Sequence, residues 1–268
     1  MKIGLALSGG GALGIAHIGA LEQIEKNKIK IDLISGASVG AIAGALFAAG
    51  GTSKIDTLLY ELKLNGVFDR KNLIKYSNPD KLLDVVSKFL KYYLPRNIED
   101  LPIKLLIATT DFSTGDTRYI ESGDLIDAIL ASCAIPGVFN ARQIGGRSLI
   151  DGGMSANLPS EILREQGMDL VIGSSLHKLK YLKEYNKLGN NPGRLFSVMR
   201  SIDILKRQLT NYEMKFCDFC FVPPVEDYTI YNVDKIDDIR KRGQKYAETE
   251  AIAFLSVIKG KTPVKQNS

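Results

Sequence analysis

Leu33-Ile34-Ser35-Gly36-Ala37-Ser38-Val39-Gly40-Ala41-Ile42-Ala43-Gly44-Ala45-Leu46-Phe47 carries an apolar strand into a small-residue helix, with Ser38 at the corner. A serine on so sharp a turn is held in a strained backbone conformation, its hydroxyl projecting from the end of the sheet. Gly36 and Gly40 stand two residues to either side, where a β-carbon would crowd the crossing of strand and helix. The helix that follows aims its first N–H groups at the place where a reacting oxygen becomes negative. This is a nucleophile elbow, and it singles out one atom, Ser38 Oγ. G-x-S-x-G alone is a weak pattern, because a strand-to-helix turn with an incidental N-cap serine satisfies it equally.

A second stretch adds to it. Lys2-Ile3-Gly4-Leu5-Ala6-Leu7-Ser8 reads as a buried strand, and Gly9-Gly10-Gly11-Ala12-Leu13-Gly14 follows at once. Ile15, Ile18, Leu21 and Ile24 then recur at helical spacing. Three successive glycines wrap their N–H groups around one anion, since no side chain intervenes. In acyl transfer that anion is the tetrahedral oxyanion, and one lost donor costs about 2.7–4 kcal/mol of barrier. Gly9, Gly10, Gly11 and the N–H of Val39 are the expected donors. A competing reading exists, because Gly9-x-Gly11-x-x-Gly14 also fits the dinucleotide-binding G-x-G-x-x-G. That motif needs an acid at the end of the second strand. Asp32 stands at the start of its strand instead, and a nicotinamide enzyme leaves Ser38 unexplained.

The third stretch is Leu149-Ile150-Asp151-Gly152-Gly153, a carboxylate on a glycine turn ahead of a helix opened by Pro159. Asp-Gly-Gly by itself is an ordinary turn. It gains weight because the chain has only two histidines, His17 and His177. His17 sits on the first helix and is expected at its flank, and His177 lies in a Lys-rich loop. Neither occupies the strand end where a triad histidine belongs. A serine hydrolase without such a histidine takes the proton with a carboxylate, and Asp151 is the candidate. An unperturbed aspartate is a feeble base near neutral pH, so this role calls for burial.

Together these residues resemble the patatin-like phospholipase family, in particular its small bacterial members. GGGALG at 9–14 is similar to the family's oxyanion segment, GASVG at 36–40 to its elbow, and DGG at 151–153 to its aspartate motif. Ala131-Ser132-Cys133-Ala134-Ile135-Pro136-Gly137-Val138-Phe139 and Ala108-Thr109-Thr110-Asp111 resemble two further signatures. The likeness runs from residue 3 to about 175, and more loosely through Asp218 to Pro223 and the helix beyond. It implies a three-layer α/β/α fold and a Ser38–Asp151 dyad, with Gly14, Gly36, Gly40, Gly152 and Gly153 as motif glycines. One departure is Leu13, where the family often carries Arg or Lys.

Composition agrees. At 268 residues and 45% hydrophobic, one α/β domain over 1–268 is the simplest division. Strands at about 3–8, 32–36, 103–110, 147–151 and 169–175 alternate with helices, the rhythm of a mainly parallel sheet. Residues 54–98 interrupt it as a helical insertion. Within it Leu82, Val86, Phe89 and Tyr93 mark an amphipathic helix ended by Pro95, either packed on the core or serving as a lid for acyl chains. Residues 177–197 read as a polar loop. Three cysteines argue against a disulfide framework, and the lone Cys217-Asp218-Phe219-Cys220 in a strand reads as buried structure.

The longest apolar run, at 37–50, falls short of the roughly 20 residues of a bilayer span, so a cytoplasmic protein is expected. The formal charge is +5; from His177 to Ser268, 17 Lys and Arg stand against 11 Asp and Glu. Arg240, Lys241, Arg242 and Lys245 make the best basic patch, suited to transient contact with an anionic inner membrane surface. No motif suggests nucleic acid, metal or cofactor. The expectation is an acyl hydrolase of lipid or similar esters, with a non-catalytic acyl-ligand-binding module as the alternative.

Overall fold

The computed structural model describes residues 1–67, 79–176, 194–229 and 232–261. Its strands are β1 (Ile3–Leu7), β2 (Leu33–Ala37), β3 (Lys104–Asp111), β4 (Thr117–Ile120), β5 (Arg142–Ile144), β6 (Arg147–Asp151), β7 (Leu170–Ser174) and β8 (Phe219–Phe221). The helices are α1 (His17–Lys26), α2 (Val39–Gly50), α3 (Thr52–Leu64), α4 (Pro79–Tyr93), α5 (Leu125–Ser132), α6 (Glu161–Glu165), α7 (Arg194–Glu213) and α8 (Ile236–Lys261). One sheet runs in the order β5-β6-β3-β2-β1-β7-β8, with β4 paired to β3 off that path. From β3 across to β8 the strands are parallel.

Alternation along each central strand divides the core into layers. Leu5, Leu7, Ile34, Leu105 and Ile107 face a large core with α1, α2, α5 and α8. Ala6, Leu33, Leu106 and Val171 face a smaller one closed by Leu158 and Leu163. Both faces of the sheet are therefore covered, which is why these strands read as nearly unbroken apolar runs. The mainly parallel α/β/α arrangement expected from the sequence is the one observed.

Several elements differ from the sequence reading. The strand at 147–151 is antiparallel to β3, because it arrives by a hairpin from β5 rather than by a helical crossover. Gly145 and Gly146 form that hairpin with φ of 57° and 75°, a two-residue turn open to glycine. In α4 the buried residues are Leu83, Ser87 and Leu90, with Val86, Phe89 and Tyr93 partly buried against the same core and the Leu82 side chain outside what the structure describes. The inward face is thus turned by about one residue from the expected stripe. The helix after Pro159 is the short α6, beginning at Glu161. Residues 177–193 lie outside the described residues, His177 among them, while 194–197 of the expected loop belong to α7. The basic patch on α8 is broken up, since Arg240 pairs with Asp56 at 2.7 Å and Arg242 with Asp227 at 2.9 Å.

Helices α1 and α8 cross at two glycines. A Cβ on Gly19 would stand 2.2 Å from the Gly243 carbonyl oxygen, and one on Gly243 would stand 2.4 Å from that of Ala16. Both obstacles are backbone, so neither yields by rotating a side chain. Gly243→Ala is expected to cost about 1–3 kcal/mol through overpacking, read by urea denaturation. Gly260→Ala on the same helix meets open space and is expected to be neutral or slightly stabilising.

Candidate active site

Ser38 joins β2 to α2 with φ 53° and ψ −125°. Among the described residues only Lys28 shares a positive φ outside glycine. Such a conformation costs of order 1–3 kcal/mol and needs support from its surroundings. Ser132 supplies it. The Ser38 N–H donates to Ser132 Oγ at 2.7 Å, and that hydroxyl donates to the Ala108 carbonyl at 2.6 Å. Close approach does the rest: a Cβ on Gly40 would lie 2.2 Å from the Leu7 oxygen, and one on Gly36 would lie 2.5 Å from that of Gly40.

The register sets Asp151 against Ser38. Ala37 pairs with Ala108 and Thr109 pairs with Asp151, so Ser38 and Asp151 stand level on either side of β3. Two strand spacings put their backbones roughly 10 Å apart, within reach of side chains that converge. Asp151 is fully buried and Ser38 is 6% exposed. Asp151 Oδ1 accepts from the Gly153 N–H and from Lys206 Nζ, both at 2.9 Å. Oδ2 is buried with no hydrogen-bond partner among the described residues, so no bond to Ser38 is closed. Gly152 lets this turn press against β3, where a Cβ would meet the Ala108 oxygen at 2.0 Å. Cys133 stands beside both groups. Burial pushes its thiol up to about 12, with the Asp151 charge adding and a hydrogen bond with Ser38 opposing.

The glycine segment lies against the same point. A Cβ on Gly9 would lie 3.3 Å from Ser38 Cβ, and one on Gly14 would lie 2.2 Å from Val39 Cγ2. The Gly9 N–H is taken by the Asn157 carbonyl at 3.0 Å, so this expected donor is already committed. The N–H groups of Gly10, Gly11 and Val39 make no hydrogen bond among the described residues.

Helix α7 closes the site from above, and sequence reasoning missed it. Lys206 holds Asp151, Thr210 Oγ1 accepts from Asn157 Nδ2 at 2.8 Å, and Glu213 Oε2 accepts from the Leu158 N–H at 2.7 Å. Ser160 Oγ donates to the Glu213 carbonyl. Burial pushes the Glu213 carboxyl up to about 8, against the pull of the Leu158 and Asn157 N–H groups. Lys206, Thr210 and Glu213 recur at helical spacing, which is the signal in the sequence that marks one polar face turned inward.

The family model for patatin-like phospholipase matches residues 5–164, which hold the glycine segment, the elbow and the aspartate turn. The chain belongs to the patatin-like phospholipase family. A relative described as an uncharacterized NTE family protein of Mycobacterium tuberculosis is 33% identical over 186 residues, spanning 66% of this chain and 49% of the relative. Lysophospholipase NTE1 of Debaryomyces hansenii is 25% identical over 92% of this chain and 18% of its own length. The chain thus spans half or less of these two curated relatives. VipD from Legionella pneumophila superposes with a TM-score of 0.51 at 15% identity, over 94% of this chain and 67% of that one, a likeness of fold.

In this patatin-like chain His17 is a structural residue. Fully buried rather than on the helix flank, it is held by Ser174 Oγ at Nδ1 (2.7 Å) and by the Ser8 carbonyl at Nε2 (2.9 Å). A carbonyl only accepts, so Nε2 carries the proton and Nδ1 accepts from Ser174. His17 thereby fixes the exit of β1 into the glycine segment. Asp32 accepts from the Ile3 N–H at 2.9 Å, at the opposite end of β1 from the glycines, which leaves the dinucleotide motif without its acid. No helix among the described residues is long and apolar enough to cross a membrane.

Burial lowers the His17 imidazole from 6.5 to about 4. The unfolded chain therefore binds the extra proton first, and stability falls as pH drops from about 6.5 to about 4. The full loss is about 3 kcal/mol. Urea denaturation of wild type and His17→Gln at pH 7.5 and 4.5 should show this component in the wild type only.

Proposed function

We propose that the chain is a lipid-ester hydrolase working through an acyl-enzyme on Ser38. The observation that carries this reading is the level placement of a strained, buried Ser38 and a buried Asp151 across β3. Ser38 Oγ attacks the ester carbonyl while Asp151 Oδ2 takes its proton. The Gly10, Gly11 and Val39 N–H groups hold the oxyanion, and Gly9 serves by its size. The intermediate collapses as Asp151 gives the serine's proton to the departing alcohol oxygen. Water then attacks the acyl-enzyme with Asp151 again as base, and this proton passes to Ser38 Oγ as the carboxylic acid leaves. The lysophospholipase name of the Debaryomyces relative supports lysophospholipids as the first substrates to try.

Lys206 enters the same proposal as a positioning residue. Its ammonium and the Gly153 N–H occupy Oδ1, which leaves Oδ2 as the oxygen available to the serine. A second reading, an acyl-ligand-binding module, is favoured by the missing bond between Ser38 and Asp151 and by the helix closed over them.

Labelling with a fluorophosphonate in the presence of lysophospholipid micelles, followed by peptide mapping, separates the two. Hydrolysis requires modification at Ser38 that falls by about 10²–10⁴ in Asp151→Asn, the range of general-base catalysis. Folded wild-type protein that stays unlabelled would leave the binding module standing.

Lys206→Met is expected to lower kcat for a soluble ester by roughly tenfold or more, since it strands a buried carboxylate. Lys206→Arg should restore part of that rate. Equal rates for Lys206→Met and wild type would remove the positioning role.

A further inference from the structure

Beyond α7 the chain passes through Met214–Phe216 into Cys217, Asp218 and the strand β8. This strand is the last of the sheet order, paired on one side with β7, where Gly173 stands opposite Cys220. The point where a Gly173 Cβ would sit is 2.7 Å from Cys217 Sγ and 2.8 Å from Cys220 Sγ. Two sulfurs therefore share the space that one missing side chain leaves. Cys220 Sγ donates to the Phe221 carbonyl at 3.8 Å, both are free thiols, and both residues are partly exposed. The ester chemistry proposed for Ser38 makes no use of them.

Their surroundings are unequal. A hydrogen bond with Cys220, another with Ser160 and the Arg164 guanidinium hold the Cys217 thiol down, while burial and Asp218 oppose. Arg164 is fixed there by Asp218 Oδ2 at 2.6 Å and the Phe216 carbonyl at 2.9 Å. The Cys220 thiol is pushed up, chiefly by its hydrogen bond with Cys217 and by burial. One sulfur is suited to attack and the other to remain protonated until it resolves.

We propose that Cys217 and Cys220 are a redox-active thiol pair, oxidised to an intramolecular disulfide by small-molecule disulfides. Cys217 thiolate attacks one sulfur of the oxidant, its S–S bond breaks, and one small thiol leaves. Cys220 gives up its proton and attacks the mixed disulfide at Cys217 Sγ, releasing the second small thiol. Two electrons pass from the pair to the oxidant, which ends as two thiols. Bridging requires the two β-carbons to approach to about 3.5–4.5 Å. A strand with no further strand paired to its outer side among the described residues permits that shift, and so short a loop gains little stability from closure, which keeps the bond reversible.

The test treats the full chain with oxidised glutathione, alkylates it after denaturation and maps the peptides. The pair predicts alkylation of Cys133 alone and a 217–220 peptide lighter by two hydrogens, with all three thiols returned by dithiothreitol. Cys220→Ser should accumulate glutathione on Cys217, whereas Cys217→Ser should leave Cys220 unmodified. Alkylation of all three cysteines after oxidation, or a lasting glutathione adduct on wild-type Cys217, would overturn the proposal.

Discussion

The backbone at Ser38 must turn left-handed, and much of the surrounding structure exists to hold it there. A β-carbon at φ 53° is strained by of order 1–3 kcal/mol. The helix after it runs so close to β1 that Gly40 touches the Leu7 carbonyl region. Ser132 ties the Ser38 N–H to the Ala108 carbonyl, so α5, β2 and β3 meet at one hydroxyl. His17 and Ser8 fix the neighbouring strand exit in the same manner, each through buried polar groups whose partners are fully specified. Removing any of these contacts would let the turn relax toward an ordinary conformation and lose the aim of Oγ.

Around that turn the site is assembled from the two directions of the sheet. The parallel strands bring the glycine segment and the elbow to one end. The antiparallel β6 brings Asp151 to the same level from the other side. The carboxylate is then sealed from solvent with a lysine on it. A buried pair of this kind contributes little net stability, yet it is costly to break from one side because the remaining charge is stranded. That asymmetry ties the placement of α7 to the state of Asp151, and the Asn157–Thr210 and Leu158–Glu213 bonds fasten the same helix along its length.

What was hard to read had a common cause. Strands β4 and β5 are four and three residues long and half exposed, so they carry no alternation to detect. The Gly145-Gly146 hairpin between β5 and β6 was the available signal, because its backbone angles belong to glycine. Helix α7 has Leu205 and Tyr212 exposed and a charged, inward-facing Lys206. Val198, Ile202, Leu205, Leu209 and Tyr212 do recur at helical spacing, but Val198, Leu205 and Tyr212 are exposed while Thr210 and Glu213 are buried, so the apolar period points to the wrong face. In α4 the period was legible and the phase was not, since Leu83 and Leu90 compete with Phe89 and Tyr93 for the inner face.

The sequence by itself determined the layered α/β arrangement, the turn at Ser38 and the glycine segment beside it. Each rests on local constraints: apolar runs buried on both faces, and glycines required where backbones touch. It also singled out Asp151, through the shortage of histidines. Only the tertiary structure decided that the Gly9 N–H is spent on Asn157, that β6 runs antiparallel and that Lys206 sits on the carboxylate. These depend on groups 38 to 148 positions apart, and no local pattern encodes which of several polar side chains a fold will bring to one buried oxygen.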